Sequence, residues 1–151
     1  MDMNKNSILI KLDLEFKIIS TSPDICIKLD DTVIMQGPQS LPVNIKIIDQ
    51  IYPGPHRLTI DFFNKNYNEC SHNADMAVII NRVQFQHIDY DFKIYSDYYP
   101  DYPNHWIDQH PESKEKIHAN YLGWNGQWAL DFETPIYALI HRRLNLGWLI
   151  K

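Results

Sequence analysis

The sequence lacks several features by which common classes of protein are recognised. Its 151 residues include only two cysteines, Cys26 and Cys70, which form no C-x-x-C pair and no zinc-binding pattern. The formal net charge of −5 gives no electrostatic support for nucleic-acid binding. No uninterrupted apolar run approaches the ~20 residues that a membrane-spanning helix needs. We therefore expect no nucleic-acid partner, no membrane insertion and two buried free thiols, with a disulfide left open.

Recognisable catalytic patterns are also missing. There is no G-x-S-x-G motif of a serine hydrolase and no glycine-rich loop for phosphate. Glu69 and Asp75 flank one loop, but acidic residues are mostly solvated surface charges. His105 and His110 lie in a proline-rich stretch without a third ligand for zinc. The sequence therefore predicts a protein that is not an enzyme, with no catalytic residue, no metal and no cofactor.

What the sequence does contain is a series of short stretches in which apolar and polar residues alternate. The first runs from Ile8 to Ile18 with an apolar residue at every second position, as in a strand with one buried face. Similar stretches, separated by turn-forming residues, follow at 25–29, 43–47, 58–62 and 76–85. The pattern predicts one all-β domain over residues 1–151. We expect an antiparallel β-sandwich of jelly-roll type, with a lipocalin-like barrel as the alternative.

The strongest turn signal is the dipeptide Asn125-Gly126. This pair is typical of a two-residue β-hairpin in which both turn residues adopt positive φ. Such a hairpin would place Trp128 opposite Gly123 on a buried face, and Trp124 on a mixed, partly exposed face. We therefore expect Trp128 to belong to the core.

Aromatic residues are concentrated between residues 90 and 110. Pro100 and Pro103 argue against a regular central strand there, so we expect an ordered aromatic loop over one end of the sheets. A stiff loop loses little entropy on binding, and Tyr and Trp are enriched at interfaces. The predicted interaction surface consists of Tyr95, Tyr98, Tyr99, Tyr102, Trp106 and Trp124. These residues suit a protein interface, a platform for sugar, or simple packing of the loop onto the sheets.

The residues before and after the loop at 64–75 carry a first resemblance. The stretch from Gly54 to Ile60 leads to Asn64-Lys65, and an apolar strand then starts at Asp75. This order resembles that of small calcium-dependent xylan-binding modules, which are β-sandwiches. The resemblance implies a vestigial metal-site loop formed by Asn64, Lys65, Glu69 and Asp75. Lys65 stands where the family has an acidic residue, so calcium is disfavoured.

The lysine in that loop has a predicted role of its own. An ammonium group can take roughly the position of a cation and satisfy the same oxygen atoms through its three donors. We therefore expect Lys65 to pair with Asp75, or with Glu69, and to hold two strand ends together without metal. A solvated Lys65 with no partner is the alternative.

A second resemblance covers more of the chain. Its motifs are Tyr99-Pro100-Asp101-Tyr102-Pro103, Leu122-Gly123-Trp124-Asn125-Gly126 and Leu146-Gly147-Trp148. In this order they are similar to small virion-associated proteins of tailed bacteriophages. The resemblance implies a non-enzymatic structural or decoration protein of the capsid surface, collar, tail or baseplate, with other virion proteins as partners.

Two functions therefore compete. The sequence favours a virion protein, and the alternative is a carbohydrate-binding module that aids adsorption to a host-surface glycan. Charged residues at Lys11, Asp13 and Glu15 argue against a signal peptide. We therefore expect assembly in the host cytoplasm and location in the virion. The oligomeric state, including a homo-oligomer, is left open.

Overall fold

The structure is a computed structural model that describes residues 5–71, 74–113 and 115–136. Within these residues the chain forms ten strands and two short helices. In chain order they are β1 (Asn6–Lys17), β2 (Asp24–Leu29), β3 (Thr32–Pro38), β4 (Val43–Ile51), β5 (Gly54–Phe62), β6 (Ala77–Phe85), β7 (Ile88–Asp89), α1 (Phe92–Tyr95), β8 (Ser96–Pro100), α2 (Asn104–Gln109), β9 (Tyr121–Leu122) and β10 (Gly126–Thr134).

The strands form two antiparallel sheets of five strands each. The first sheet has the order β4-β1-β6-β7, with β9 also paired to β6, and the second has the order β3-β2-β5-β10-β8. The predicted antiparallel β-sandwich is confirmed. No strand pair among the described residues joins the two sheets, so the barrel alternative is wrong. None of the described helices is long and apolar enough to cross a membrane.

One hydrophobic core lies between the sheets. In β1 every second side chain faces inward, so that Ile10, Leu12 and Leu14 are fully buried. The central strands of the second sheet supply the opposite wall, where Ile60 lies between Ile27 on β2 and Trp128 on β10. The alternation read from the sequence therefore fixes which face of each strand is buried.

A β-bulge changes the alternation in β6. Leu14 pairs with Ile80, whereas Asp13 pairs with Arg82, so that Asn81 is left over. Because of this extra residue, Ile80 and Val83 both face the core although they are three residues apart.

The predicted hairpin at Asn125-Gly126 is wrong. Strand β9 pairs with β6 in the first sheet, whereas β10 pairs with β5 and β8 in the second. The residues between them connect the two sheets, and Asn125 does not adopt positive φ. Gly126 does, with φ of 153°, and a Cβ there would lie 2.2 Å from the carbonyl oxygen of Tyr99. The glycine therefore allows close approach of β8.

Trp128 is fully buried, as predicted, but its neighbours differ from those expected. Its partners across the ladders are Ile60 and Tyr98, not Gly123. Its indole also packs edge-to-face against Phe92, with ring centroids 6.2 Å apart. The assignment of Trp128 to the core is confirmed, and its assignment to a hairpin is wrong.

The predicted aromatic loop is more regular than expected. Helix α1, strand β8 and helix α2 lie within it. Strand β8 is at the edge of the second sheet and ends at Pro100, which agrees with the exclusion of proline from central strands. Both cysteines are free thiols, with Cys26 buried and Cys70 partly buried. The last apolar segment of the sequence, including Trp148, lies outside the described residues from position 137 onward.

Candidate functional site

Three connections meet at one end of the sandwich. They link β5 to β6, β8 to α2 and β9 to β10. The register places Gly126, the first residue of β10, opposite both Phe62 at the end of β5 and Pro100 at the end of β8. These connections therefore bring together side chains that are distant in the sequence.

An aromatic cluster forms where the three connections meet. We define it as Tyr67, Tyr102, Trp106, His110 and Trp124, all of which are partly buried. The ring of Trp124 lies at the centre, with its centroid 4.7 Å from that of Trp106, 5.2 Å from that of Tyr102 and 5.5 Å from that of Tyr67. His110 stacks on Trp106 at 3.8 Å. Each of the three connections therefore contributes at least one ring.

The predicted interaction surface is only partly assembled in this cluster. Tyr102, Trp106 and Trp124 come together as expected. Tyr95 instead packs against Tyr90, with ring centroids 5.7 Å apart. Tyr99 lies outside the cluster, on β8, where it pairs with Gln127 of β10.

Tyr98 does not belong to any surface. Side chains alternate along β8, so Tyr98 faces the core and is fully buried, whereas Tyr99 faces outward. Its hydroxyl donates a hydrogen bond to the carbonyl oxygen of Trp124 and accepts one from the Trp124 amide at 3.0 Å. Burial raises the pKa of Tyr98 well above its ordinary value. Tyr98 therefore supports the aromatic cluster from below.

Sequence reasoning missed two members of the cluster. Tyr67 lies in a polar loop, and nothing local marks it as a partner of Trp124. Its hydroxyl accepts a hydrogen bond from the Asn125 amide at 3.1 Å, and burial raises its pKa. His110 could have been found, because it is four residues after Trp106 and such positions share one helix face.

A lysine lies at the base of the cluster. The Nζ atom of Lys65 is 2.7 Å from Asp75 Oδ1 and also donates to the carbonyl oxygen of Gly123. It is 5.6 Å from the ring centroid of Trp124 and 5.8 Å from that of Tyr67. Only 7% of the Lys65 side chain is exposed. The expected ion pair with Asp75 is therefore present, and it is far better shielded from solvent than a surface pair.

The carboxylate of Asp75 is held from several directions. Its Oδ1 also accepts the Met76 amide at 2.9 Å, and its Oδ2 accepts the hydroxyl of Tyr121. Burial by itself would raise the pKa of Asp75, but the hydrogen bonds from Lys65 and Tyr121 outweigh it and hold the pKa below its ordinary value. Asp75 is therefore a carboxylate at neutral pH.

A hydrogen bond to the side chain of Asn125 fixes the backbone of the lysine. Asn125 Oδ1 accepts the Lys65 amide at 2.7 Å, and the Asn125 carbonyl oxygen accepts the Asp101 amide at 2.6 Å. The side chain of Asn125 thus joins the loop after β5 to the start of β10. Asn125 therefore contributes a side-chain hydrogen bond between two connections, rather than a residue of a hairpin turn.

The other two residues of the predicted vestigial metal-site loop point elsewhere. Asn64 accepts the Asp24 amide at 2.7 Å and donates to the Ser22 carbonyl oxygen at 3.0 Å, so it ties the end of β5 to the turn before β2. Glu69 accepts a hydrogen bond from the hydroxyl of Ser20 at 2.7 Å. Only Lys65 and Asp75 of the four converge on one point.

Comparisons with known proteins identify the fold that the chain shares with solved structures. No protein-family model matches the chain, and no curated protein matches it. Among solved structures, vCBM60 in complex with galactobiose has 10% sequence identity and a TM-score of 0.49, and the match covers 85% of this chain and 98% of that one. The selenomethionine form of vCBM60, described among calcium-dependent carbohydrate-binding modules, has 10% identity and a TM-score of 0.50 over 82% of this chain and 89% of that one. The chain shares the β-sandwich fold of that module.

The residues at the base of the cluster do not fit a calcium ion. Calcium is bound by six to eight oxygen ligands, often including several carboxylates. Here the carboxylate of Asp75 and the carbonyl oxygen of Gly123 already bind the ammonium group of Lys65. A divalent cation at the same oxygens would lie next to a positive charge. Among the described residues, no group of three or more His, Cys, Asp or Glu side chains is placed to hold a metal ion.

Proposed function

We propose that the protein is a non-catalytic carbohydrate-binding module that binds glycan at the aromatic cluster. The observation that carries this proposal is the arrangement of three Tyr and Trp rings around Trp124 at one end of a β-sandwich. The faces of aromatic rings carry negative partial charge, and they attract the C–H groups on the flat face of a sugar ring. Tyr and Trp also offer rigid contact area at low entropic cost.

The ion pair of Lys65 and Asp75 next to the cluster supports the same proposal. Lys65 neutralises Asp75, and its Nζ atom lies 5.8 Å from the ring centroid of Tyr67 and 5.6 Å from that of Trp124. A preordered loop loses less entropy when a ligand binds. The solved module with the same fold is described as carbohydrate-binding, which agrees with glycan binding as the function.

A binding experiment tests the proposal directly. The protein is screened on a glycan microarray and then titrated calorimetrically with xylohexaose and galactobiose. We expect saturable binding that falls at least about tenfold in Trp124→Ala, because the central ring is removed. Tyr52→Ala is the matched control, since Tyr52 is 54% exposed and precedes β5 at the opposite end of the sandwich. Absence of binding to every glycan on the array, or equal binding by Trp124→Ala, would refute the proposal.

The virion location, the virion partners and the structural or decoration role stay predictions from the sequence resemblance. The comparisons favour the carbohydrate-binding alternative, so glycan binding is the first function that we propose. On a virion, we propose that glycan binding serves adsorption to a host surface. Quantitative mass spectrometry of purified phage particles measures the copy number of the chain. Its absence from the particles would refute the virion location without affecting the glycan site.

A further inference from the structure

A second concave site lies next to the aromatic cluster, on the outer face of the second sheet. Its cavity measures about 520 Å³. Its lining includes Lys28, Asp61, Phe63, Asp101 and Gln127. Neither the motifs of the sequence nor the site described above accounts for this groove.

A hydrogen-bonded polar pair lies in the groove, on strands that are in register. Cys26 on β2 pairs with Asp61 on β5, which in turn pairs with Gln127 on β10. The amide Nε2 of Gln127 donates a hydrogen bond to Asp61 Oδ1 at 2.9 Å. This bond uses one of two amide hydrogens and one of two carboxylate oxygens, so both side chains keep further capacity for a ligand.

An aromatic ring lies beside this polar pair. Phe63 directly follows β5, faces outward because Phe62 faces the core, and is 51% exposed. Burial in the core does not stabilise the exposed ring of Phe63. A flat aromatic ring beside hydrogen-bonding groups does match a sugar ring, which has an apolar face and polar hydroxyl groups. The groove also carries both signs of charge, from Lys28 and from Asp61 and Asp101, which favours a neutral polyol over an ion.

The groove is continuous with the aromatic cluster. Asn125 and Gly126 line the groove, and Trp124, the central ring of the cluster, is the preceding residue. Asp101 lines the groove as well, and its carbonyl oxygen accepts a hydrogen bond from Tyr67 of the cluster at 3.5 Å. The groove and the aromatic cluster therefore share a boundary formed by Asp101, Asn125 and Gly126.

We propose that the ligand is an oligosaccharide that extends from the aromatic cluster across Asn125 and Gly126 into the groove. There a further neutral sugar residue stacks on Phe63 and forms hydrogen bonds with Asp61 and Gln127. This inference rests on the proposed function and deepens it, because it makes affinity depend on the length of the glycan.

The test compares short and long ligands. Calorimetric titrations use xylobiose with xylohexaose, and galactobiose with galactohexaose. We expect the wild-type protein to bind the hexasaccharide of its preferred series more tightly than the disaccharide. Phe63→Ala and Asp61→Asn should each weaken hexasaccharide binding about three- to tenfold, as for the loss of one aromatic or polar contact, and leave disaccharide binding unchanged. Tyr52→Ala is the control for loss of an exposed ring.

The outcomes separate this inference from the proposed function. Equal affinity of the wild-type protein for disaccharide and hexasaccharide, or hexasaccharide binding unchanged in both groove variants, would overturn the groove subsite alone. Loss of disaccharide binding in Phe63→Ala would also overturn it, because the two sites would then not be separate. Failure of the wild-type protein to bind any glycan would overturn the proposed function and this inference together.

Discussion

At the scale of single residues, Lys65 shows how a charge can order a loop. Its ammonium group joins a carboxylate, a backbone carbonyl and two aromatic faces contributed by two connections, β5 to β6 and β9 to β10. The pairing of Lys65 with Asp75 could be predicted from residue types and spacing. Its burial could not, because Trp124 and Gly123 cover it from a connection about 58 residues further along the chain.

Replacing the lysine with an apolar side chain of similar length tests this role. Lys65→Met should destabilise the protein by about 1–3 kcal/mol, because Asp75 is left partly buried without its cation. Denaturant melts followed by tryptophan fluorescence measure the change. Lys28→Met, which removes a lysine from the more open groove, should cost less than about 1 kcal/mol. Equal losses in the two variants would show that the pair with Asp75 has no special weight.

A histidine on β5 makes stability depend on pH. His56 Nδ1 lies 2.8 Å from Asp30 Oδ2, and Nε2 lies 2.6 Å from the carbonyl oxygen of Tyr52. Burial lowers the pKa of His56, but the hydrogen bonds to Asp30 and to Tyr52 outweigh it and raise the pKa above 6.5. Since both partners are acceptors, the doubly protonated imidazolium is the form that they bind.

The sign of the pH effect follows from that raised pKa. The stabilising contribution of His56 is complete below its unfolded pKa of about 6.5 and is lost as pH rises through the folded value. We expect the wild-type protein to be more stable than His56→Gln at pH 6, and this difference to shrink by pH 9. Thermal melts of both proteins across that range measure it. A difference that grows with pH would contradict the assignment.

At the scale of elements, the two tryptophans before and after Gly126 have unequal roles. Trp128 is fully buried in β10, whereas Trp124 is partly buried in the preceding connection. Trp128→Ala should destabilise the protein by about 3–5 kcal/mol, as for other large-to-small core substitutions. Trp124→Ala should cost about 1–2 kcal/mol, because less of its surface is buried. Denaturant melts that give equal losses would contradict this difference in packing.

Which strands form could be predicted, but how some of them pair could not. Alternation in β1 and β2 is a local property, so the sequence alone shows their buried faces. The pairing of β9 with β6 and of β10 with β8 depends on packing between distant segments. The dipeptide Asn125-Gly126 favours a hairpin locally, but packing between distant segments determines the pairing. Gly126 is required instead for the close approach of Tyr99.

At the scale of the whole molecule, the sandwich brings unrelated connections to one end. Antiparallel strands β5 and β10 place Phe62 beside Gly126, and this register fixes the loops that follow and precede them. The sequence could indicate the fold and three of the clustered rings, Tyr102, Trp106 and Trp124. It could not indicate Tyr67 or the groove at Asp61, because both arise only when distant strands come into register.

We expect calcium to change neither the stability of the protein nor its affinity for glycan. Lys65 already supplies positive charge to Asp75 and to the carbonyl oxygen of Gly123, so a calcium ion would have to displace an ammonium group held by its own chain. We therefore expect no saturable heat in a calorimetric titration with calcium. The melting temperature and glycan affinity should be the same in calcium and in EDTA, because no metal contributes free energy to the folded state. Saturable binding at micromolar calcium, abolished by Asp75→Asn, would contradict the role assigned to Lys65 and place a metal at the base of the cluster.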